Sequence, residues 1–213
     1  MNAPDLLAEG ESLSRSCAYL RPDGDHYAAV WGGDPVAASP GADFEHWLSV
    51  DVRYIPNSPW PEGCLSVFAN TDDCTSGALT LATQSELPLS ASGVRLFAHE
   101  ALSLPPLDAL FRYGSPDVHA WLRSCDWDPT WPPNSNFRDP VPVEAYEKEY
   151  QRRLPLYSGG AHAVLGGWHF PWPDGDWPDL TSSQLLVWTF QDSEPWIEAW
   201  NRDGHQWVVQ RVT

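Results

Sequence analysis

Short segments that alternate between apolar and polar residues dominate this chain. The clearest runs from His46 to Tyr54, where one face carries four apolar residues and the other carries Ser49, Asp51 and Arg53. A period of two predicts a β-strand with one face in the core and the other in solvent. Further β-prone runs predict strands at 27–31, 64–69, 78–83, 94–99 and 184–191. Brief turns between consecutive strands favour antiparallel pairing.

The helix signals are fewer and shorter. The segment Val143–Leu154 carries acids early and bases late, with Glu144→Lys148 and Glu149→Arg153 at i,i+4, and an apolar stripe through Tyr146. Ser115 followed by proline predicts the start of a second helix that ends near residue 124. Asp5 is placed to cap a short helix near the N-terminus, and residues 1–25 are otherwise expected to be peripheral.

These elements predict an α+β fold of mostly antiparallel β-sheet with a few short helices, in a single compact domain 1–213. The chain ends in a predicted hairpin, 196–200 and 206–212, around a turn at 201–204. A proline-rich loop, 126–142, either divides the chain into two lobes or wraps its surface.

A similar order of features in two places suggests two related halves, about 27–125 and 143–213. Gly32-Gly33 precedes a strand and Pro59-Trp60, and Gly166-Gly167 precedes a strand and Pro195-Trp196. The spacing from glycine to proline is 27 positions in the first case and 29 in the second. Duplication explains this order. Chance is the alternative, because Gly, Pro and Trp are abundant in this sequence.

The charge balance is strongly acidic. The formal net charge is −17, and the chain has a single lysine, Lys148. Such a surface disfavours nucleic acid and anionic membranes and favours a basic protein partner, although the charge can also serve solubility alone. The sequence shows no secretory signal and no apolar window of membrane-spanning length, so a cytoplasmic location is expected. Four cysteines without a C-x-x-C pair predict reduced, mostly buried thiols.

The segment 161–203 combines rigid aromatic residues with uncompensated acids. Tryptophan is enriched at binding hot spots, and carboxylates attract basic groups. We therefore expect a partner-binding surface made of Trp172, Asp174, Asp176, Trp177, Asp179, Glu194 and Glu198.

This segment also allows three other hypotheses, namely a calcium loop, a His/Glu metal site and a glycosidase pair. Asp174, Asp176 and Asp179 resemble a calcium loop, but Trp177 and Pro178 interrupt the ligand pattern. His162 and His169 could join Glu194 and Glu198 in a metal site, although no spacing fixes the geometry.

The same two glutamates could also form a glycosidase pair among sugar-stacking tryptophans. No nucleophile elbow and no phosphate-binding loop is present in the sequence. We therefore expect no catalytic residues, no cofactor and no metal.

Several motifs together resemble one family. VWGGDP, HWLSVDVRYIP followed by CLSVFAN, and AHAVLGGW occur in the order typical of the YwqG-like domain of unknown function. The resemblance covers roughly residues 27–213 and departs from the family pattern at WPDGDW and EPWIEAW. Members of that family resemble proteins of bacterial toxin–immunity modules, so the resemblance implies a binding role and supplies no catalytic residues.

Two functions follow as expectations from these observations. The first is a non-enzymatic immunity protein that binds and neutralises a basic cognate toxin, with a nuclease as one option for that toxin. The alternative is a carbohydrate-binding protein or glycoside hydrolase that uses an acidic cleft rich in tryptophan.

Overall fold

The fold is known from a computed structural model. It describes residues 3–73, 75–83, 87, 92–125, 140–153, 162–168, 183–189 and 196–211. The statements below concern these residues.

Ten β-strands make up most of the regular secondary structure among the described residues. In chain order, β1 to β10 are Arg15–Arg21, Tyr27–Trp31, Phe44–Asp51, Cys64–Asn70, Ser76–Ala82, Val94–Ser103, Ala163–Gly166, Gln184–Thr189, Trp196–Arg202 and His205–Arg211. They close into one barrel in the order β1-β6-β2-β3-β4-β5-β10-β9-β8-β7. The nine neighbouring pairs whose register is resolved are all antiparallel, beginning with β1–β7 and ending with β8–β9.

Four short α-helices accompany the strands. They are α1 (Leu6–Ser12), α2 (Leu107–Tyr113), α3 (Pro116–Ser124) and α4 (Pro140–Arg153), and a 3-10 turn spans Val52–Tyr54. The predicted α+β class with mostly antiparallel strands is thus confirmed, but closure of the sheet into a barrel was not predicted. Among the described helices, none is long and apolar enough to cross a membrane.

The core of the barrel is made by one face of every strand. Successive side chains on a strand point to opposite faces, so residues paired across strands share a face. Ala18 is opposite Leu165, and Leu48 is opposite Val67. All four are buried in one cluster that draws on nine strands, and the partly buried Leu79 of the tenth, β5, packs against it. Many members are alanine or valine, which fit the limited space inside a closed barrel.

Two four-stranded meanders, β2–β5 and β7–β10, have the same internal register. In the first, Trp31 is opposite Leu48; in the second, Leu165 is opposite Val187. Each meander also contains a β-bulge on its second strand, next to the residue of that pair. The bulge lies between His46 and Leu48 in β3 and between Leu185 and Val187 in β8. A β-bulge is a specific backbone feature, and it recurs here at the matching position of the two meanders.

The strand ends and outer neighbours of the two meanders also match. Gly32 and Gly33 follow β2 with φ of 66° and 68°, and Gly166 and Gly167 end β7 with φ of 66° and 81°. These left-handed values favour glycine over other residues. Next to the first meander lies β6, and next to the second lies β1. The strand that flanks the second meander, β1, therefore comes from the part of the chain before residue 27.

The chain forms two compact units. The barrel unit contains Ser16–Ala101, Gly160–Gly167 and Asp179–Thr213, and the helical unit contains Met1–Arg15, Leu102–Gly159 and Trp168–Pro178. The proposed halves 27–125 and 143–213 do not coincide with these units, because one barrel takes strands from both halves.

The helical unit packs around a core of its own. This core includes Leu6, Leu110, Trp121, Val143 and Tyr146. The predicted caps are present: Asp5 accepts from the Ala8 amide at 3.0 Å, and Ser115 precedes α3. Within α4 the predicted Glu149–Arg153 ion pair is formed at 2.7 Å. Leu154, the last residue of the predicted helix, lies outside the described residues.

Two expectations about the barrel are wrong. Residues 15–21 are not peripheral, because Cys17, Ala18 and Leu20 are buried in β1. The polar face of β3 does not face solvent either. Ser49 is 0% and Asp51 is 2% exposed. The Val36 amide, between β2 and β3, donates to Ser49, and the Arg53 amide donates to Asp51.

Candidate binding site

Most of the predicted contact surface lies outside the described residues. This holds for Trp172, Asp174, Asp176, Trp177, Asp179 and Glu194, and also for His169. The calcium-loop reading, which depends on three of these aspartates, falls outside them as well. Within the described parts of the chain no group of His, Cys, Asp and Glu side chains has the arrangement of a metal site.

Glu198 is the one predicted contact residue whose position is described. It lies on β9 opposite Trp188 of β8 and Val209 of β10. It is 1% exposed and accepts a hydrogen bond from the indole Nε1 of Trp200 at 3.1 Å. The structure therefore places this carboxylate in the interior, where it does not present itself to a partner.

A histidine and a serine on β3 have the geometry of a base and a nucleophile. His46 Nε2 lies 2.9 Å from Ser49 Oγ, and His46 Nδ1 lies 3.0 Å from the carbonyl oxygen of Gly33. Ser49 Oγ in turn lies 2.8 Å from Ser66 Oγ on β4. A catalytic nucleophile must reach a substrate, and Ser49 and Ser66 are both 0% exposed.

This network instead holds the segment between β2 and β3. Burial lowers the pKa of His46, which favours the neutral imidazole. Because the carbonyl of Gly33 can only accept, Nδ1 carries the proton and Nε2 accepts from Ser49 Oγ. The amides of Val36 and Ala37 donate to Ser49 Oγ and Ser66 Oγ, each at 3.2 Å. Every group in this chain then has a partner.

The neighbouring thiol is also protected from reaction. Cys64 is 0% exposed, and burial is the main cause that raises its pKa to about 11. The nearby Asp51 adds to this effect. Cys17 and Cys125 are likewise buried and form no disulfide, so three of the four thiols are as the sequence predicts, and Cys74 lies outside the described residues.

Aromatic side chains remain partly exposed at one end of the barrel. Trp31 ends β2, and its ring meets that of Trp47 edge-on at a centroid distance of 5.6 Å. Both rings pack on the barrel core. The ring of His162 lies 5.8 Å from Trp31, and Val94, opposite Trp31 on β6, is 47% exposed. Together these four residues form an apolar patch.

Exposed carboxylates stand at the same end of β3, β4 and β5. Glu45 is opposite the core residue Ala69, so it projects from the face of the sheet that also carries the core. Asp43 accepts through its carbonyl oxygen from the Thr71 amide at 2.8 Å, which brings it beside Asp72 in the β4–β5 turn. We call Trp31, Trp47, Val94 and His162, together with Asp43, Glu45 and Asp72, the rim.

The acidic surplus resides mainly in the barrel unit. Its exposed bases among the described residues are Arg53 and Arg95. Its exposed carboxylates are more numerous: Asp23, Asp25, Asp34, Asp43, Glu45, Glu62, Asp72, Asp73, Glu100 and Asp203. In the helical unit, exposed acids such as Glu144 and Glu147 are offset by exposed bases such as Lys148 and Arg152.

The rim was not predicted from the sequence. Its residues come from five separate stretches, and only the register of the strands brings them to one end. The available signal was tryptophan next to strand ends, Trp31 before the Gly-Gly pair and Trp47 at the start of the alternating segment.

Comparisons with known proteins do not assign the chain to a family. No protein-family model, curated protein or solved structure matches it. The resemblance to the YwqG-like domain therefore stays a prediction.

Proposed function

We propose that this protein is a non-enzymatic binding protein that neutralises a basic protein partner, as a bacterial immunity protein does with its cognate toxin. The observation that carries the proposal is the imbalance on the barrel unit, where exposed carboxylates greatly outnumber exposed bases. An acidic surface of this kind attracts a positively charged protein and accelerates encounter with it.

The state of the candidate catalytic groups supports a role in binding. The His46–Ser49 pair is used to fix a loop, and Ser49 is fully buried. Cys64 is buried with a raised pKa, which disfavours the reactive thiolate. Glu198, one half of the proposed glycosidase pair, is 1% exposed and therefore buried.

The proposed place of action is the cytoplasm, where an immunity protein meets a toxin that has entered or been made in the same cell. A nuclease is one fitting target, because its nucleic-acid cleft is basic and a carboxylate-rich surface complements it.

The experiment that tests the proposal uses the protein product of the adjacent gene. That product and the present chain are purified separately, and binding is measured by calorimetry at about 50 mM and at about 500 mM salt. Screening shortens the range of charge attraction from roughly 14 Å to roughly 4 Å over this interval. We expect binding at low salt that weakens strongly at high salt.

Co-expression supplies the biological readout. The neighbouring gene alone should arrest growth, and co-expression of the present chain should restore it. An adjacent gene whose product is harmless and does not bind at either salt concentration would reject the proposal.

The rim gives a specific reason to keep carbohydrate binding as a second candidate. Exposed faces of tryptophan stack on sugar rings, and Trp31 and Trp47 are both partly exposed. Titration of intrinsic tryptophan fluorescence with a panel of oligosaccharides tests it. Saturable quenching that is absent in Trp47→Leu would favour this candidate over a protein partner.

A further inference from the structure

We propose that the rim is the docking surface for an arginine- or lysine-bearing segment of the basic partner. This inference rests on the proposed function and adds to it the location of the contact and the chemistry of the occupant. It assigns the role to residues at one end of β2, β3 and β6 and to the β4–β5 turn.

The aromatic part of the rim is suited to a cationic side chain. Trp31 and Trp47 meet edge-on, with an angle of 63° between their rings, so their faces point in different directions. Tryptophan is the aromatic residue that best binds a guanidinium or ammonium group over its face. This chain already uses such contacts internally, since the guanidinium of Arg15 lies 3.5 Å from the centroid of Trp168.

The aromatic pair is held in place before a partner arrives. Both tryptophans pack on the barrel core, and the amide of Gly32 donates to the carbonyl oxygen of Trp47 at 2.7 Å. A side chain that is already ordered loses little conformational entropy on binding. Partly exposed, rigid tryptophans of this kind are typical anchors of protein interfaces.

The acidic part of the rim determines the sign of the occupant's charge. Glu45 projects from the same sheet face as the core and lies two residues from Trp47. Asp43 and Asp72 are exposed on adjacent segments joined by the hydrogen bond from Thr71. A neutral apolar occupant would strip water from these carboxylates without replacing the lost hydrogen bonds, whereas a basic side chain pairs with them.

Asp73 belongs to the turn itself and is not assigned to the contact. Its carboxylate accepts from the Thr75 amide at 3.0 Å and from the Thr75 and Ser76 hydroxyls at 2.6 and 2.8 Å. These hydrogen bonds lower the pKa of Asp73. It fixes the turn that presents Asp72.

The test compares two double variants that change the net charge by the same amount. The rim variant is Glu45→Gln with Asp72→Asn. The control is Glu62→Gln with Asp203→Asn, which neutralises one exposed glutamate and one exposed aspartate at the other end of the strands. Asparagine tolerates the φ of 50° found at Asp203, so the control keeps its turn.

Binding of each variant is measured with two probes, the purified product of the adjacent gene and a fluorescein-labelled nona-arginine peptide. We expect the rim variant to lose about tenfold or more in affinity and the control to lose about threefold or less, because close charge pairs contribute far more than distant ones. Trp47→Leu, which keeps apolar bulk and removes the indole, should also weaken binding of both probes. Urea unfolding of each variant confirms that the barrel is intact.

The outcomes separate this inference from the proposed function. Equal losses in the rim and control variants would overturn the rim as the docking surface and leave the acidic-binder proposal standing. Failure of the wild-type chain to bind the adjacent gene product would reject the proposed function, and the rim assignment with it. Unchanged affinity in Trp47→Leu would remove the aromatic part of the assignment.

Discussion

The hydrogen-bond network that holds the segment between β2 and β3 against β3 and β4 gives the sharpest test of the structure. The substitution is Ser66→Ala. Ser66 is 0% exposed, and its Oγ accepts from the Ala37 amide and lies 2.8 Å from Ser49 Oγ. Alanine removes one oxygen atom and leaves almost no cavity. The main effect is that the amide of Ala37, a residue only 5% exposed, loses its acceptor.

The magnitude follows from the cost of an unsatisfied buried donor. Leaving such a group without its hydrogen bond costs about 1–3 kcal/mol. With a urea m-value of about 2 kcal/mol/M, the unfolding midpoint should fall by about 0.5–1.5 M. Equilibrium urea unfolding followed by tryptophan fluorescence measures this shift.

A neighbouring hydroxyl supplies the matched control. Thr80 is directly opposite Ser66 on β5, and its buried Oγ1 has no hydrogen-bond partner in the described part of the chain. Replacing Thr80 by Val removes a hydroxyl from the same face without orphaning any group, so stability should stay the same or rise slightly. Two results would refute the role assigned to the hydrogen bond from the Ala37 amide to Ser66 Oγ. One is a loss of stability in Thr80→Val equal to that in Ser66→Ala, and the other is no loss of stability in Ser66→Ala.

Three further predictions follow from the barrel unit. Burial depresses the pKa of His46 below its usual value. The neutral imidazole therefore contributes its full stabilisation of the fold above about pH 6.5, and this stabilisation is lost as the pH falls toward the folded-state pKa. A pKa of 6.5 or higher in an NMR titration of the imidazole would contradict this. In a Cys74→Ser background, Cys64 with its pKa of about 11 should stay unmodified by iodoacetamide at pH 8 until urea unfolds the protein, as judged by intact mass. Gly77→Ala places a Cβ against the carbonyl oxygen of Phe68 and should destabilise the fold by about 2 kcal/mol or more in a thermal melt, whereas a wild-type melting temperature would show that the strands are less tightly packed there.

The local pattern of the sequence predicted most individual strands. The alternating segment, the CLSVFA run and the VRLFAH run correspond to β3, β4 and β6, because side-chain alternation is a local property of a half-buried strand. The strand β1 was missed because its apolar residues span only Cys17 to Leu20 between two arginines. Its pairing partner, β7, lies far along the chain, so nothing local indicates the pair.

The sequence was misleading where a strand is covered on both faces. Alternation placed Ser49 and Asp51 in solvent, yet both are buried. Asp51 is retained there because its carboxylate accepts from the Arg53 backbone amide and guanidinium at 2.9–3.0 Å. Short polar residues that find partners can be buried on a strand, and periodicity cannot distinguish them from exposed ones.

Local sequence patterns could not predict the rim, for a similar reason. Trp31, Glu45, Asp72, Val94 and His162 come together only because the registers of several strands are fixed. The order of Gly-Gly, strand and Pro-Trp predicts two related halves, and this stays a prediction. The two meanders share a bulge position and left-handed glycines at strand ends. Glycine and bulge positions are set by backbone geometry, which a short motif can encode.

The placement of β1 beside β7 has a consequence for synthesis of the protein. On the ribosome β1 emerges first, but its partner in the second meander is made only after about three quarters of the chain. The seam between β5 and β10 closes later still, when β10 has left the exit tunnel. Until then the nascent protein carries unpaired strand edges, which pair readily with other chains. We therefore expect slow folding with a marked dependence on chaperones, as the many contacts between distant residues also imply.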